Sequence, residues 1–175
     1  MDMDGECCAA RVIPRAGPCP SAPPGWTWER LMAEAMRQAE AGRAAGEVPV
    51  GAVLAAADGT LLAAAHNAPV ALHDPTAHAE VLAMRRAGQT LGNYRLDGCV
   101  LVVTLEPCAM CAAAMVHARV AGVVFGAADA RAGAVLSCMD GLALPFYNHR
   151  VWHMGGVEAE ACARQLREFF AAARG

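Results

Sequence analysis

Cys108 and Cys111, in the stretch LEPCAMC, stand three residues apart directly after a proline, and thirty residues earlier HDPTAHAEVL carries His78 and Glu80. One imidazole, two thiols and a carboxylate make a donor set for a transition metal with a proton-transfer group beside it. A C-x-x-C alone has other readings. A redox pair follows the first strand of a thioredoxin-like unit, whereas this one lies past the middle of the chain. A structural zinc site takes four protein ligands, and no second C-x-x-C occurs. Three ligands leave one tetrahedral position for a water, which loses a proton near neutral pH when zinc holds it. Glu80 is too close to His78 to be an easy second ligand and is free to move protons. His66, His73, His117, His149 and His153 have no such company and read as structural or surface residues.

For these groups to meet, the elements carrying them must end at one place. GCVLVVTLEP (98–107) is a nearly continuous apolar run, as a strand buried on both faces requires. CAMCAAAMVHAR (108–119) is a predicted helix behind Pro107, so both thiols sit at its positive end, where thiolates are favoured. AHAEVLAMRRAG (77–88) is a second predicted helix, closed by Gly88. In mid-helix, residues i and i+2 point about 200° apart. At a helix mouth, just after Pro75, His78 and Glu80 both reach a point ahead of the first turn.

The remaining elements build the frame. WERLMAEAMRQAEAG, from an N-cap at Thr27 to Gly42, is a helix, and VGAVLAAADGTLLAAAH is a hairpin about Asp58-Gly59. VAGVVFG (120–126) is another buried strand, and VEAEACARQLREFFAAAR (157–174) an amphipathic helix. The alternation predicts an α/β fold with three α/β/α layers, one central mixed sheet flanked by helices. Residues 1–25, rich in Pro, Gly and small side chains without a period, read as a disordered extension, with one domain over 26–175.

With 175 residues, a net charge of −3 and no run long and apolar enough to span a bilayer, the chain reads as one soluble, cytoplasmic domain with no membrane contact. Eight cysteines without a secretory signal imply reduced thiols rather than a disulfide framework. All 14 basic residues are Arg, so any contact with nucleic acid is local and suited to bidentate phosphate binding.

H-x-E followed by P-C-x-x-C is the signature of the zinc nucleobase deaminases. The likeness extends through EVPVGAVL, HNAPVALHDPTAHAEVLAMR, NYRL, TLEPCAMCAAAMVHARV, VVFGAADARAGA, NHRV and LREFF, and over residues 26–174 the chain resembles the bacterial tRNA-specific adenosine deaminases, of the cytidine deaminase-like superfamily. That resemblance implies one Zn2+ per subunit on His78, Cys108 and Cys111, with Glu80 as proton shuttle. It implies hydrolytic deamination of adenosine to inosine at the wobble position of a tRNA anticodon, by zinc-activated hydroxide. It assigns Asn67 and Ala79 to the target nucleotide, and Asp129, Asn148, Phe169 and Phe170 to the anticodon loop, for which Arg131 and Arg150 are the candidates for charge. A homodimer is implied as well, in keeping with an α-helix whose Met110, Ala113, Ala114 and Val116 are apolar over more than one stripe. Two alternatives stand beside this reading: a zinc deaminase of free cytosine or guanine compounds, and a zinc-stabilised RNA-binding module without turnover.

Overall fold

The computed structural model describes residues 20–173. Its elements are α1 (Trp28–Ala44), β1 (Gly51–Ala55), β2 (Leu61–His66), α2 (Pro69–Leu72), α3 (Ala79–Leu91), β3 (Val100–Leu105), α4 (Ala109–His117), β4 (Gly122–Ala127), β5 (Trp152–Gly155) and α5 (Ala159–Ala172). One sheet in the order β2-β1-β3-β4-β5 carries them. β1 is antiparallel to both β2 and β3, while β3, β4 and β5 are parallel, so the sheet is mixed as expected.

The apolar runs of the central strands feed two cores at once, because successive side chains leave a strand on opposite faces. Leu54, Leu101, Val103, Val123 and Phe125 pack with Leu82, Ala83 and Met84 of α3 and Ala112 and Met115 of α4. Val53, Val100, Val102 and Val124 pack with Leu31, Met32 and Ala35 of α1 and Cys162 of α5. These two cores are the two helical layers. On the second, α1 crosses β1 so closely that a Cβ at Gly51 would collide with the Ala35 carbonyl. The Gly51 N–H is turned to the Thr104 hydroxyl of β3 at 3.1 Å.

Three features differ from the sequence expectations. The second helix begins at Ala79 and does not end at Gly88: it runs to Leu91, and Gly92 takes the left-handed cap at φ 61°. The Asn93 N–H returns to the Gly88 carbonyl at 3.0 Å, a Schellman-type closure that a glycine in the left-handed region allows. α2, a single turn, and β5, a four-residue edge strand of half-buried residues, carry too little periodicity to be read in advance. The expected extension over 1–25 falls mostly outside the described residues. Among those that follow, Pro23 is buried, Trp26 Nε1 donates to the Gly59 carbonyl at 2.8 Å, and Trp28 Nε1 donates to the Pro20 carbonyl at 3.1 Å.

Candidate metal and active site

The first helical turns of α3 and α4 converge on the sheet face they share. The residue preceding each helix has extended backbone, His78 at φ −71°, ψ 150° and Cys108 at φ −75°, ψ 172°, and neither side chain caps its own helix. The two side chains meet each other instead. His78 Nδ1 lies 3.7 Å from Cys108 Sγ and 3.6 Å from Cys111 Sγ, and all three ligand atoms fall within 4.8 Å of one another. A tetrahedron with Zn–S near 2.3 Å and Zn–N near 2.0–2.1 Å has an N···S edge of about 3.6 Å. The cluster therefore fits zinc, through Nδ1 of the imidazole, and no fourth His, Cys, Asp or Glu joins it among the described residues.

The approach to His78 is built locally. Asp74 Oδ1 accepts from the Thr76 N–H at 2.8 Å and the Thr76 hydroxyl at 2.6 Å, closing the turn that delivers the chain to His78. The N–H of Ala79, an orphan of the first turn, donates to Asn67 Oδ1 at 2.8 Å. Asn67 thus serves as the cap that His78 does not provide.

Electrostatics agree with this geometry. The Cys111 thiol hydrogen-bonded to Cys108 draws the latter's pKa down to about 4, against a burial effect that raises it, which favours the thiolate that a metal requires. The same contact pushes Cys111 upward, and burial adds to this. Hydrogen bonding to Cys108 raises His78. A divalent cation at the centre would replace these shared protons, because metal ligands bind deprotonated. Glu80, 4% exposed, is pushed up by burial, and its carboxyl is close enough to Cys111 to hydrogen-bond. A carboxyl raised toward neutrality is poised to take and return protons.

Beside the metal ligands lies a group that the sequence reading passed over. Glu106, 2% exposed at the end of β3, accepts four backbone N–H groups and one hydroxyl from residues 129–137. An acidic residue closing an otherwise apolar buried strand was the available signal. Burial pushes its pKa up, but the Ser137 hydroxyl and the N–H groups of Leu136, Ser137 and Asp129 outweigh this and hold its carboxyl below the usual range.

The other expected site residues are more dispersed. Asp129 folds its own loop, Oδ1 accepting from the N–H of Arg131 at 2.9 Å and of Ala132 at 3.2 Å. Arg131, Asn148 and Arg150 are exposed in the connection 128–151, where the Asn148 carbonyl accepts from Arg119 Nη1 at 3.3 Å. Phe169 and Phe170 meet edge to face on α5, with centroids 5.4 Å apart. That helix packs on α1, β3 and β4, and its Leu166 reaches the core under α3 and α4.

Known proteins share this construction. Residues 27–127 match the zinc-binding region of the cytidine and deoxycytidylate deaminases. The tRNA-specific adenosine deaminase of Haemophilus influenzae is 41% identical over 142 residues, covering 81% of this chain and 82% of that one. The protein of the same description from Aquifex aeolicus is 43% identical over 143 residues, 81% of this chain and 93% of that one. A solved structure from work on A-to-I editing by tRNA:A34 deaminases at the wobble position of transfer RNA superposes with a TM-score of 0.76 at 39% identity, covering 78% of this chain and 99% of that one.

Proposed function

This chain belongs to the tRNA-specific adenosine deaminases, within the zinc-binding cytidine and deoxycytidylate deaminase family, and from that membership we propose that it converts adenosine to inosine at the wobble position of a tRNA anticodon. The observation that carries the chemistry is a three-donor His/Cys/Cys cluster with a buried carboxylate against it, since a closed structural site takes four protein ligands and needs no such carboxylate.

His78 Nδ1 and the sulfurs of Cys108 and Cys111 would hold the zinc. Bound there, zinc supplies a Lewis acid that makes a water nucleophilic near neutral pH. Glu80 would take a proton from the attacking water and deliver it to the ring nitrogen as the bond from oxygen to C6 of the adenine forms. It would then pass the remaining proton of the C6 hydroxyl to the departing amino group, so the C6–N6 bond breaks as ammonia leaves and C6 keeps a carbonyl oxygen. Burial keeps Glu80 out of bulk water and lets the same carboxyl serve in both directions. Asn67 and Ala79 flank the spot at which the base must sit. Around it, Asp129, Arg131, Asn148, Arg150, Phe169 and Phe170 are our candidates for the anticodon loop, whose splayed bases favour guanidinium and aromatic neighbours.

Incubating zinc-loaded protein with an anticodon stem-loop, digesting to nucleosides and quantifying inosine tests this reading. One loop adenosine should be converted, with free adenosine, cytidine and guanine hardly touched. Equal or better turnover of a free base or nucleoside overturns it in favour of a small-molecule deaminase, and full RNA binding without inosine overturns it in favour of a binding module.

We further propose that two copies pair through the groove between α3 and α4. This groove, about 580 Å³ in volume, is lined by Met84, Leu96, Ala114 and Ala118, with Tyr94 beside it 77% exposed. Light scattering at micromolar concentration should give twice the chain mass. A cytoplasmic setting follows from a tRNA substrate and from the reduced thiols that the metal site requires.

A further inference from the structure

The connection from β4 to β5, residues 128–151, contains no helix or strand, and a connection this long inside a compact domain is uncommon unless it does work. Its first part is nevertheless firmly held. Glu106 Oε1 accepts from the N–H groups of Val135 at 3.2 Å, Leu136 at 2.7 Å and Ser137 at 2.8 Å, while Oε2 accepts from the Asp129 N–H at 3.1 Å and from the Ser137 hydroxyl. A buried carboxylate is costly without partners, and this one is supplied with five. The clamp leaves no room beneath the loop: a Cβ at Gly133 would collide with the Glu106 carboxyl.

What the clamp holds lies directly against the metal site. Gly133 bridges to Cys108 across an isolated antiparallel contact, and the Ala134 N–H donates to the Pro107 carbonyl at 2.8 Å. Two residues before Gly133, on the exposed tip shaped by Asp129, stands Arg131. Most arginines among the described residues are occupied: Arg37, Arg43, Arg85, Arg95 and Arg167 with carboxylates, Arg30, Arg86 and Arg119 with carbonyls. Arg131, like Arg150 and Arg164, has no side-chain partner among the described residues, and of the three it is the one beside the clamp. An acidic chain that binds a polyanion must rely on such local, uncommitted cations.

We propose that Glu106 is a positioning residue for substrate affinity: by gathering the N–H groups of residues 129–137 it fixes the loop against the start of α4 and holds Arg131 where the RNA backbone passes the metal site. This rests on the RNA-deaminating reading above. Glu106 is not among the clustered donor atoms, and its oxygens are spent on loop N–H and hydroxyl groups, so it acts through the loop.

Glu106→Gln separates the two halves of the clamp. The amide oxygen still accepts from Val135, Leu136 and Ser137, but its NH2 faces the Asp129 N–H, donor against donor, and frees the end that carries Arg131. The zinc-loaded variant should keep wild-type metal content, raise KM for the anticodon stem-loop about tenfold and lower kcat by no more than about threefold. Both Glu106→Gln and Arg131→Ala should flatten the log–log salt dependence of stem-loop binding by about 0.7, one phosphate on a single strand. The double variant should bind no more weakly than the weaker single one. Unchanged affinity, a fall in kcat without a rise in KM, zinc loss in step with activity, or effects that multiply in the double variant would each overturn the proposal. Should Glu106→Gln fail to fold, Ser137→Ala removes one donor to the same carboxylate from the exposed side; a stem-loop KM two- to fivefold higher supports the clamp, and an unchanged KM defeats it. Binding is read by fluorescence anisotropy independently of turnover. A wild-type protein that binds the stem-loop but makes no inosine therefore sinks the functional reading alone, while the Glu106 comparison is still decided on binding.

Discussion

At the start of α1, Thr27 accepts the Arg30 N–H at 3.2 Å, whereas at the start of α3 the residue in the same position, His78, makes no such bond and turns its ring toward two sulfurs. The first arrangement stabilises a helix using its own neighbour in sequence. The second gives the cap position to ligation and recovers the lost bond from Asn67, twelve residues back. α4 repeats the pattern with Cys108. A good N-cap contributes about 1 kcal/mol, so two helix starts forgo that local contribution in order to aim three ligand atoms at one point. Capping and metal binding compete for the same geometric position, and at α3 the fold satisfies both only by drawing on a residue from elsewhere.

The comparison breaks most visibly if the ligating starts are cut. His78→Ala or Cys108→Ala should drop zinc from one ion per chain to near none and cut deamination by about a thousandfold or more, with lower thermal stability, because metal binding and folding are linked. Normal zinc in either variant, by elemental analysis, would remove that residue from the ligand set. Glu80→Gln sharpens the contrast from within the same turn: zinc should remain while kcat falls by about 10²- to 10⁴-fold, and near-normal turnover would exclude it as the proton carrier.

Smaller effects separate the borrowed cap from the local one. Asn67→Ala should cost about 1–2 kcal/mol in urea unfolding, since it orphans the buried Ala79 N–H, and should also weaken zinc affinity. Thr27→Ala should cost only about 1 kcal/mol, a shift in Tm of about 2–4 °C, with metal content and kcat unmoved. Equal zinc affinities in the two variants would show that Asn67 caps α3 without steadying His78.

Much of this was legible from local pattern. The α1 boundaries follow from Thr27 and an apolar stripe, and the two-faced burial of β3 from an unbroken apolar run. The clustering of His78, Cys108 and Cys111 was legible because each stands at or just inside a helix start, where spacing restricts direction. What escaped the sequence was nonlocal. Gly88 punctuates nothing because Gly92 satisfies the carbonyls more fully. Nothing near Glu106 announces that its partners lie at 129–137, and nothing in HNAP shows that Asn67 will cap a helix that starts at Ala79. Hydrogen bonds that close over 12 to 31 residues leave no periodic trace.

The orientation of Asn67 has a consequence for inhibitor design. With Oδ1 committed to Ala79, the side chain retains only its NH2, which has no hydrogen-bond partner among the described residues. The polarity offered beside the metal ligands at that point is therefore donor, and a molecule seated there is rewarded for a ring nitrogen, an ether or a carbonyl and penalised for an N–H. A purine scaffold that places an acceptor against Asn67 should outcompete its isostere bearing a donor at the same atom, and Asn67→Asp, which leaves only acceptors, should reverse their order.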